Sequence, residues 1–201
     1  MAVNTYSLAS DGNEFLSENF TVREFASRDG ADRVLIDTQL VDVLQNVRDY
    51  FGAPVTINSA YRTPSHNRAV GGASNSQHVQ GTAADIVVSG VEPREVAEYI
   101  EYILPSKGGI GLYNSFVHVD VRENRSRWEN FGSERVVSGF PGFTPSFISS
   151  AYKDKKVQTD KQAVAVLIKK GIITNPSIWY NGTWDKTDFK HLIIKVANYI
   201  S

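Results

Sequence analysis

Apolar residues recur with a helical period from Asp37 onward. Leu40, Leu44, Val47 and Phe51 fall on one face, and Gly52 with Pro54 ends the run. Val55, Ile57 and Ser59 then read as a short strand, and Ala84 to Val88 as another. Pro93 follows Gly90-Val91-Glu92 and stands where the first turn of a helix accepts proline. Val96, Ile100 and Leu104 give that helix its buried stripe, and Pro105 with Gly108-Gly109 stops it. Ile110 to Tyr113, a turn at Asn114-Ser115, and Phe116 to Arg122 read as adjacent strands. Residues 1–34 lack any such period and are expected to be irregular. Residues 62–82 are expected to form one long polar loop, a length that usually carries function in a compact domain. Helices mixed with runs of strands suit an α+β fold, a small antiparallel sheet with flanking helices.

The pattern changes near the C-terminus. Two Pro, two Gly and three Phe crowd residues 139–150. The expected organisation is therefore a main domain over 1–138, a linker over 139–152 and a small all-α module over 153–201. In the module, Thr159 with Gln162 makes a capping box, and the helix it opens runs to Lys170 and Gly171. Asn175-Pro176 opens a second helix. Thr187 opens a third, with Phe189, Leu192, Ile193, Val196 and Ile200 on one face. Charge divides at the same place. Through Tyr152 there are 11 Arg, 1 Lys and 18 acidic residues, a balance of −6; from Lys153 there are 9 Lys and 4 Asp, a balance of +5. A Lys-rich tail of that sign suits either a solvated helical face or an anionic surface.

Composition narrows the chemistry. The chain has no Cys, which excludes disulfide scaffolds, cysteine nucleophiles and thiolate metal sites. Any metal site must use His, Asp and Glu, and there are only four His. No apolar stretch approaches the length of a membrane span, and residues 1–20 show no secretory signal pattern. A net charge of −1 gives no footprint for nucleic acid.

Two segments concentrate ionisable groups at expected strands: Ser76-Gln77-His78 through Asp85, and Phe116-Val117-His118-Val119-Asp120. Alternation along the second strand puts Val117, Val119 and Val121 on one face, leaving His118 and Asp120 together on the other. Asp85 opens a buried strand beside the loop that carries His78. Two His and a carboxylate are the ligand set of an open zinc site, where a water keeps the fourth position. A further carboxylate is needed as general base, and Asp120 is the nearest. The same residues admit a plainer reading, with His118 a hydrogen-bonded core histidine and Asp85 a turn residue. Gly108-Gly109-Ile110-Gly111 lacks the Gly-Lys-Ser/Thr that a phosphate-binding loop requires, and no Gly-x-Ser-x-Gly elbow is present.

Over residues 15–135 the chain resembles the zinc peptidases of the M15 type. These include D-alanyl-D-alanine carboxypeptidases and peptidoglycan endopeptidases, with a distant likeness to the hedgehog signalling domain. The resemblance rests on Ser76-x-His78-x6-Asp85 followed by His118-x-Asp120. Ser59-Ala60-Tyr61-Arg62, Val70-Gly71-Gly72-Ala73, Gly108-Gly109-Ile110-Gly111 and Arg127-Trp128 support it. It implies that His78, Asp85 and His118 bind Zn²⁺. It also implies that Arg62 faces the scissile region and that Ser76 and Gln77 line the substrate site. Several branches carry the catalytic acid three residues before the last histidine; here that residue is Ser115. Asp120 is therefore expected as the base, with Glu123 and Glu129 next should Asp120 only orient His118. The implied activity is hydrolysis of a peptide bond in the peptidoglycan stem or cross-link, with a D,D-carboxypeptidase or a non-catalytic zinc-containing wall-binding or virion protein as alternatives. The expected setting is a phage endolysin or tail-associated lysin, cytoplasmic until released or carried on the virion.

Overall fold

The computed structural model of the chain describes residues 3–143. The chain divides into two compact units, Met1–Gly142 and Phe143–Ser201. The helices expected in the Lys-rich tail, and most of the expected linker, lie outside the described residues.

The α+β expectation is met, in a larger form. Strands β1 (Val3–Ser7) and β2 (Arg33–Asp37) make a two-stranded antiparallel sheet. Six further strands make a second sheet: β3 (Val55–Ser59), β4 (Ala83–Val88), β5 (Gly109–Tyr113), β6 (Val117–Asp120), β7 (Ser126–Asn130) and β8 (Glu134–Val136). Their spatial order is β3-β4-β6-β5-β7-β8. All neighbours run antiparallel except β5 and β7, which are parallel, so the sheet is mixed rather than purely antiparallel.

The two long helices form where the period placed them. Helix α2 (Thr38–Phe51) starts at Asp37, whose side chain accepts from the Gln39 amide, and ends at Gly52 in the left-handed region. Helix α4 (Pro93–Ile103) starts on its proline. Their buried faces, Leu40, Leu44 and Val47 on α2 and Val96, Ile100 and Ile103 on α4, are removed from water in the core. Each such side chain contributes about 1.5–3 kcal/mol of burial. The sheet meets them with Ala84, Ile86 and Val88 of β4, Ile110 and Leu112 of β5, and Val117 and Val119 of β6.

Two expectations are corrected. Residues 1–34 are not irregular: besides β1 and β2 they hold a short helix α1 (Leu8–Asp11) and a 3-10 turn at Val22–Phe25. Phe20, Val22, Phe25 and Val34 are fully buried there, spaced too unevenly for a period to reveal them. The 62–82 segment is not wholly loop either. Helix α3 (Pro64–Ala69) opens on Thr63, whose hydroxyl accepts from the His66 amide, with proline at its first position. The buried Asn67 then bonds the Ala73 carbonyl at 2.8 Å and folds the following turn back on the helix. No helix among the described residues is long and apolar enough to cross a membrane.

Candidate metal centre

Strand alternation sorts the six-stranded sheet into two faces. Across its middle, Asp85 lies beside His118, His118 beside Gly111, and Gly111 beside Trp128. Ser59 joins the row next to Asp85, and Val136 joins it next to Trp128. These residues share the face turned away from α2 and α4. His78 reaches the row from the tight turns that precede β4. Those turns are held by backbone bonds from Val79 to Ser76, from Gly81 to His78 and from Arg62 to His78.

Three side chains converge at the centre of this face. His78 Nε2 stands 3.2 Å from His118 Nδ1, and Asp85 Oδ1 lies 3.3 Å and 2.9 Å from those two nitrogens. All three residues are buried. Their outer atoms fix the protons. His78 Nδ1 faces the Ala60 carbonyl at 2.7 Å, which can only accept, so Nδ1 carries the hydrogen and Nε2 a lone pair. His118 Nε2 faces Asp120 Oδ2 at 3.2 Å, so the hydrogen belongs there and the lone pair at Nδ1. Arg62 takes the other oxygen of Asp85 at 2.8 Å. Three lone-pair atoms thus point at one another with no hydrogen left to join them.

A tetrahedral zinc with bonds of about 2.0–2.1 Å holds neighbouring donors about 3.3 Å apart. The observed triangle fits that spacing, and two imidazoles with one carboxylate are an ordinary zinc donor set. These three are the candidate metal-ligand group found among the described residues. Without an ion, a proton takes its place. Burial works against charge on His118, but its hydrogen bonds to Asp120 and Asp85 and their charges outweigh that, and its pKa is pushed up to about 9. Burial likewise opposes ionisation of Asp85, yet His118 and His78 hold it below the usual carboxylate range.

Asp120 is not placed as a base. It lies behind His118, on the ring nitrogen opposite the converging atoms, and is fully buried. One oxygen accepts from the Gly109 and Arg122 amides at 2.9 and 3.1 Å; the other meets His118 and the Arg122 guanidinium, at 2.5 Å for the closest contact. Burial raises its pKa, and the bonds and charges of His118 and Arg122 lower it further than burial raises it. A carboxylate so engaged, on the ring nitrogen of His118 opposite the converging atoms, is placed to orient that histidine. The alternatives expected from sequence do not replace it. Glu129 is on the opposite face, paired with Arg94 at 2.8 Å and Arg135 at 2.6 Å. Glu123 is exposed in the turn after β6 and does not line the site.

The centre opens into a cleft of about 440 Å³. Arg62, Ser76 and Gln77 line it. Tyr113, Phe116, Arg122, Trp128 and Glu134 also line it, and sequence reasoning missed their part. Arg122 was within reach of that reasoning, because residues 118, 120 and 122 continue one alternation. The glycines of β5 have a steric purpose. A side chain on Gly109 would collide with the Asp120 carboxylate, and one on Gly111 with the Trp128 indole.

A family model described as Peptidase M15 matches residues 13–120, more than half of the chain, and takes in all three converging side chains. No curated protein matches the chain.

Proposed function

The chain belongs to the peptidase M15 family, a family of metallopeptidases, and from that premise we propose that it is a zinc-dependent peptidoglycan peptidase that cuts within the stem peptide or cross-link. The observation that carries this reading is the convergence of His78 Nε2, His118 Nδ1 and Asp85 Oδ1 at the floor of an open cleft, with both histidine tautomers fixed from behind. When bound there, the ion supplies Lewis acidity toward a carbonyl and lowers the pKa of a water toward about 7.

The chain's own residues do the rest. The Ala60 carbonyl and Asp120 hold the two imidazoles in the tautomers that expose lone pairs. Arg62 bonds Ser59 Oγ and Asp85 Oδ2, both at 2.8 Å, which anchors its guanidinium at the cleft wall. From there its fork suits a substrate carboxylate or the oxygen of a scissile carbonyl. The cleft runs from Arg62, just after β3, to Glu134 on β8, the full width of the sheet. A cleft that continues past the metal group toward β8 suits a substrate longer than a terminal residue, which favours an endopeptidase.

A phage lysin is the setting proposed for this activity, and the Lys-rich tail is proposed to favour anionic wall polymers. The test is reverse-phase analysis of purified peptidoglycan incubated with the protein, with and without a chelator. New chelator-sensitive fragments with internal cuts are the expected result. Release of terminal D-alanine alone would make it a carboxypeptidase. Unchanged fragments from zinc-loaded protein would overturn the peptidase reading.

A further inference from the structure

The cleft is electrically uneven along its length. Arg62 and Arg122 both line it, and each is already neutralised by an aspartate, Arg62 by Asp85 and Arg122 by Asp120. At the far end stands Glu134, an exposed residue whose carboxylate has no hydrogen bond or ion pair among the described residues. Asp85 and Glu134 are the two carboxylates lining the cleft there, and Asp85 belongs to the metal group. Among the described residues, Glu134 is thus the charge in the cleft that nothing answers.

Register fixes its position. Glu134 lies opposite Asn130 on β7, and Asn130 beside Tyr113 on β5. The Tyr113 amide donates to the Phe116 carbonyl at 3.1 Å. Glu134 therefore shares a crosswise row with Tyr113 and Phe116, one step along the strands from the row of Asp85, His118 and Trp128. The Tyr113 and Phe116 rings stack at 4.2 Å and 12°, and Trp128 Nε1 donates to the Tyr113 hydroxyl at 3.2 Å, so the wall is held rigid. From β6 to β8 is three strand spacings, about 14 Å. Glu134 is too far from the metal group to be a ligand, and it can only read a part of the substrate remote from the cut bond. Edge strands often carry charge simply to discourage pairing. Arg135, pointing to the other face and 74% exposed, serves that purpose; alternation turns Glu134 into the cleft instead.

We infer that Glu134, at the β8 end of the cleft, forms a subsite for an ammonium group of the peptide substrate, with Tyr113 and Phe116 lining the way to it. By register Glu134 stands two strand spacings from Tyr113 and three from Phe116, so its charge attracts the ammonium, and the rings offer apolar surface to the chain that carries it. The group is either the side-chain ammonium of a diamino acid or a free N-terminal amine. This assignment rests on the peptidase reading for its substrate, and its test separates the two.

Three synthetic peptides of one stem-like sequence serve as probes. The first has lysine and an acetylated N-terminus. The second has norleucine in its place and is also acetylated. The third has norleucine and a free N-terminus. Binding to the metal-free full-length chain is measured calorimetrically for wild type, Glu134→Gln and Glu134→Asp, and cleavage by the zinc-loaded chain is followed in parallel. Wild type is expected to bind the first or the third about fivefold more tightly than the second, and which of them wins names the source of the ammonium. Glu134→Gln should bind all three alike, and Glu134→Asp should recover part of the preference. A preference that survives in Glu134→Gln, or no preference in wild type, overturns the subsite. Cleavage without a Glu134-dependent preference removes the subsite and leaves the peptidase standing. A Glu134-dependent preference with neither peptide nor wall cleaved removes the peptidase and leaves the subsite.

Discussion

The two faces of the six-stranded sheet both bury charge, and they do so in opposite ways. On the face toward α4, Arg127 is wholly buried. Its five N–H groups go to Glu101 and to the carbonyls of Leu104, Lys107, Gly108 and Ser126. Every donor has an acceptor, and the cluster stitches the end of α4 to β5 and β7. On the other face, His78, Asp85 and His118 turn acceptors toward one another. The first arrangement is complete in itself, and the second is completed only by a cation. Burial of charge therefore does not mark a functional site. A surplus of lone pairs at one point does.

This contrast can be broken experimentally, and the largest effect is expected at the incomplete cluster. Asp85→Ala should lose the bound ion and all chelator-sensitive cleavage while the chain stays folded; metal analysis beside circular dichroism checks it. Retention of stoichiometric zinc by that variant would sink the ligand assignment. Arg127→Ala should do the reverse. It takes from Glu101 its buried arginine partner, leaving Arg125, and removes the guanidinium donors from the carbonyls of Leu104, Lys107, Gly108 and Ser126; it should cost about 3–5 kcal/mol in denaturant unfolding. Its folded fraction should still bind one ion.

Asp120 sharpens the comparison, because it links the metal group to a saturated network. Asp120→Asn should weaken zinc binding about 10–100-fold by loosening His118. Competition with a chromophoric chelator measures this. Unchanged zinc affinity with cleavage abolished would instead restore Asp120 as the base.

The remaining effect is in pH. In the metal-free chain His118 keeps a proton up to about pH 9, whereas an unfolded histidine releases it near 6.5. A raised folded pKa contributes stability in full below pH 6.5 and loses it as pH climbs through about 9. Metal-free stability should therefore fall between pH 6.5 and 9. Zinc must displace that proton, so binding at pH 7 should release about one proton, and affinity should rise about tenfold per pH unit over the same window. Calorimetry in buffers of different ionisation enthalpy counts the proton directly.

Much of the centre was legible in sequence because it sits on elements with strict periods. Strand β6 alternates valines with His118 and Asp120, and β4 brings Asp85 beside them, so the ligand set needed only the pleat. What stayed hidden depends on register and on atoms rather than residue types. The role of Asp120 turns on which nitrogen of His118 it faces and on Arg122 closing over it. Strands β7 and β8 carry Ser126, Arg127, Glu129 and Glu134, with no apolar alternation to announce them. β1, β2 and α3 escaped for a related reason: their cores are single residues or cap geometries spread over short segments. Glu134, 16 positions beyond His118, becomes part of the cleft only once a parallel β5–β7 pair carries the chain past β5.

The order of strands also divides labour by permanence. The converging side chains on β4 and β6 sit mid-sheet, hydrogen-bonded on both sides, so their backbone amides open only when the domain does. β8 is three residues long and outermost, so it can fray and re-pair while the metal group stays assembled. Drift at that margin can re-tune what enters the cleft, generation by generation, at little risk to the reaction performed there. The peptidase has its chemistry in the warp of the sheet and its taste in the selvedge.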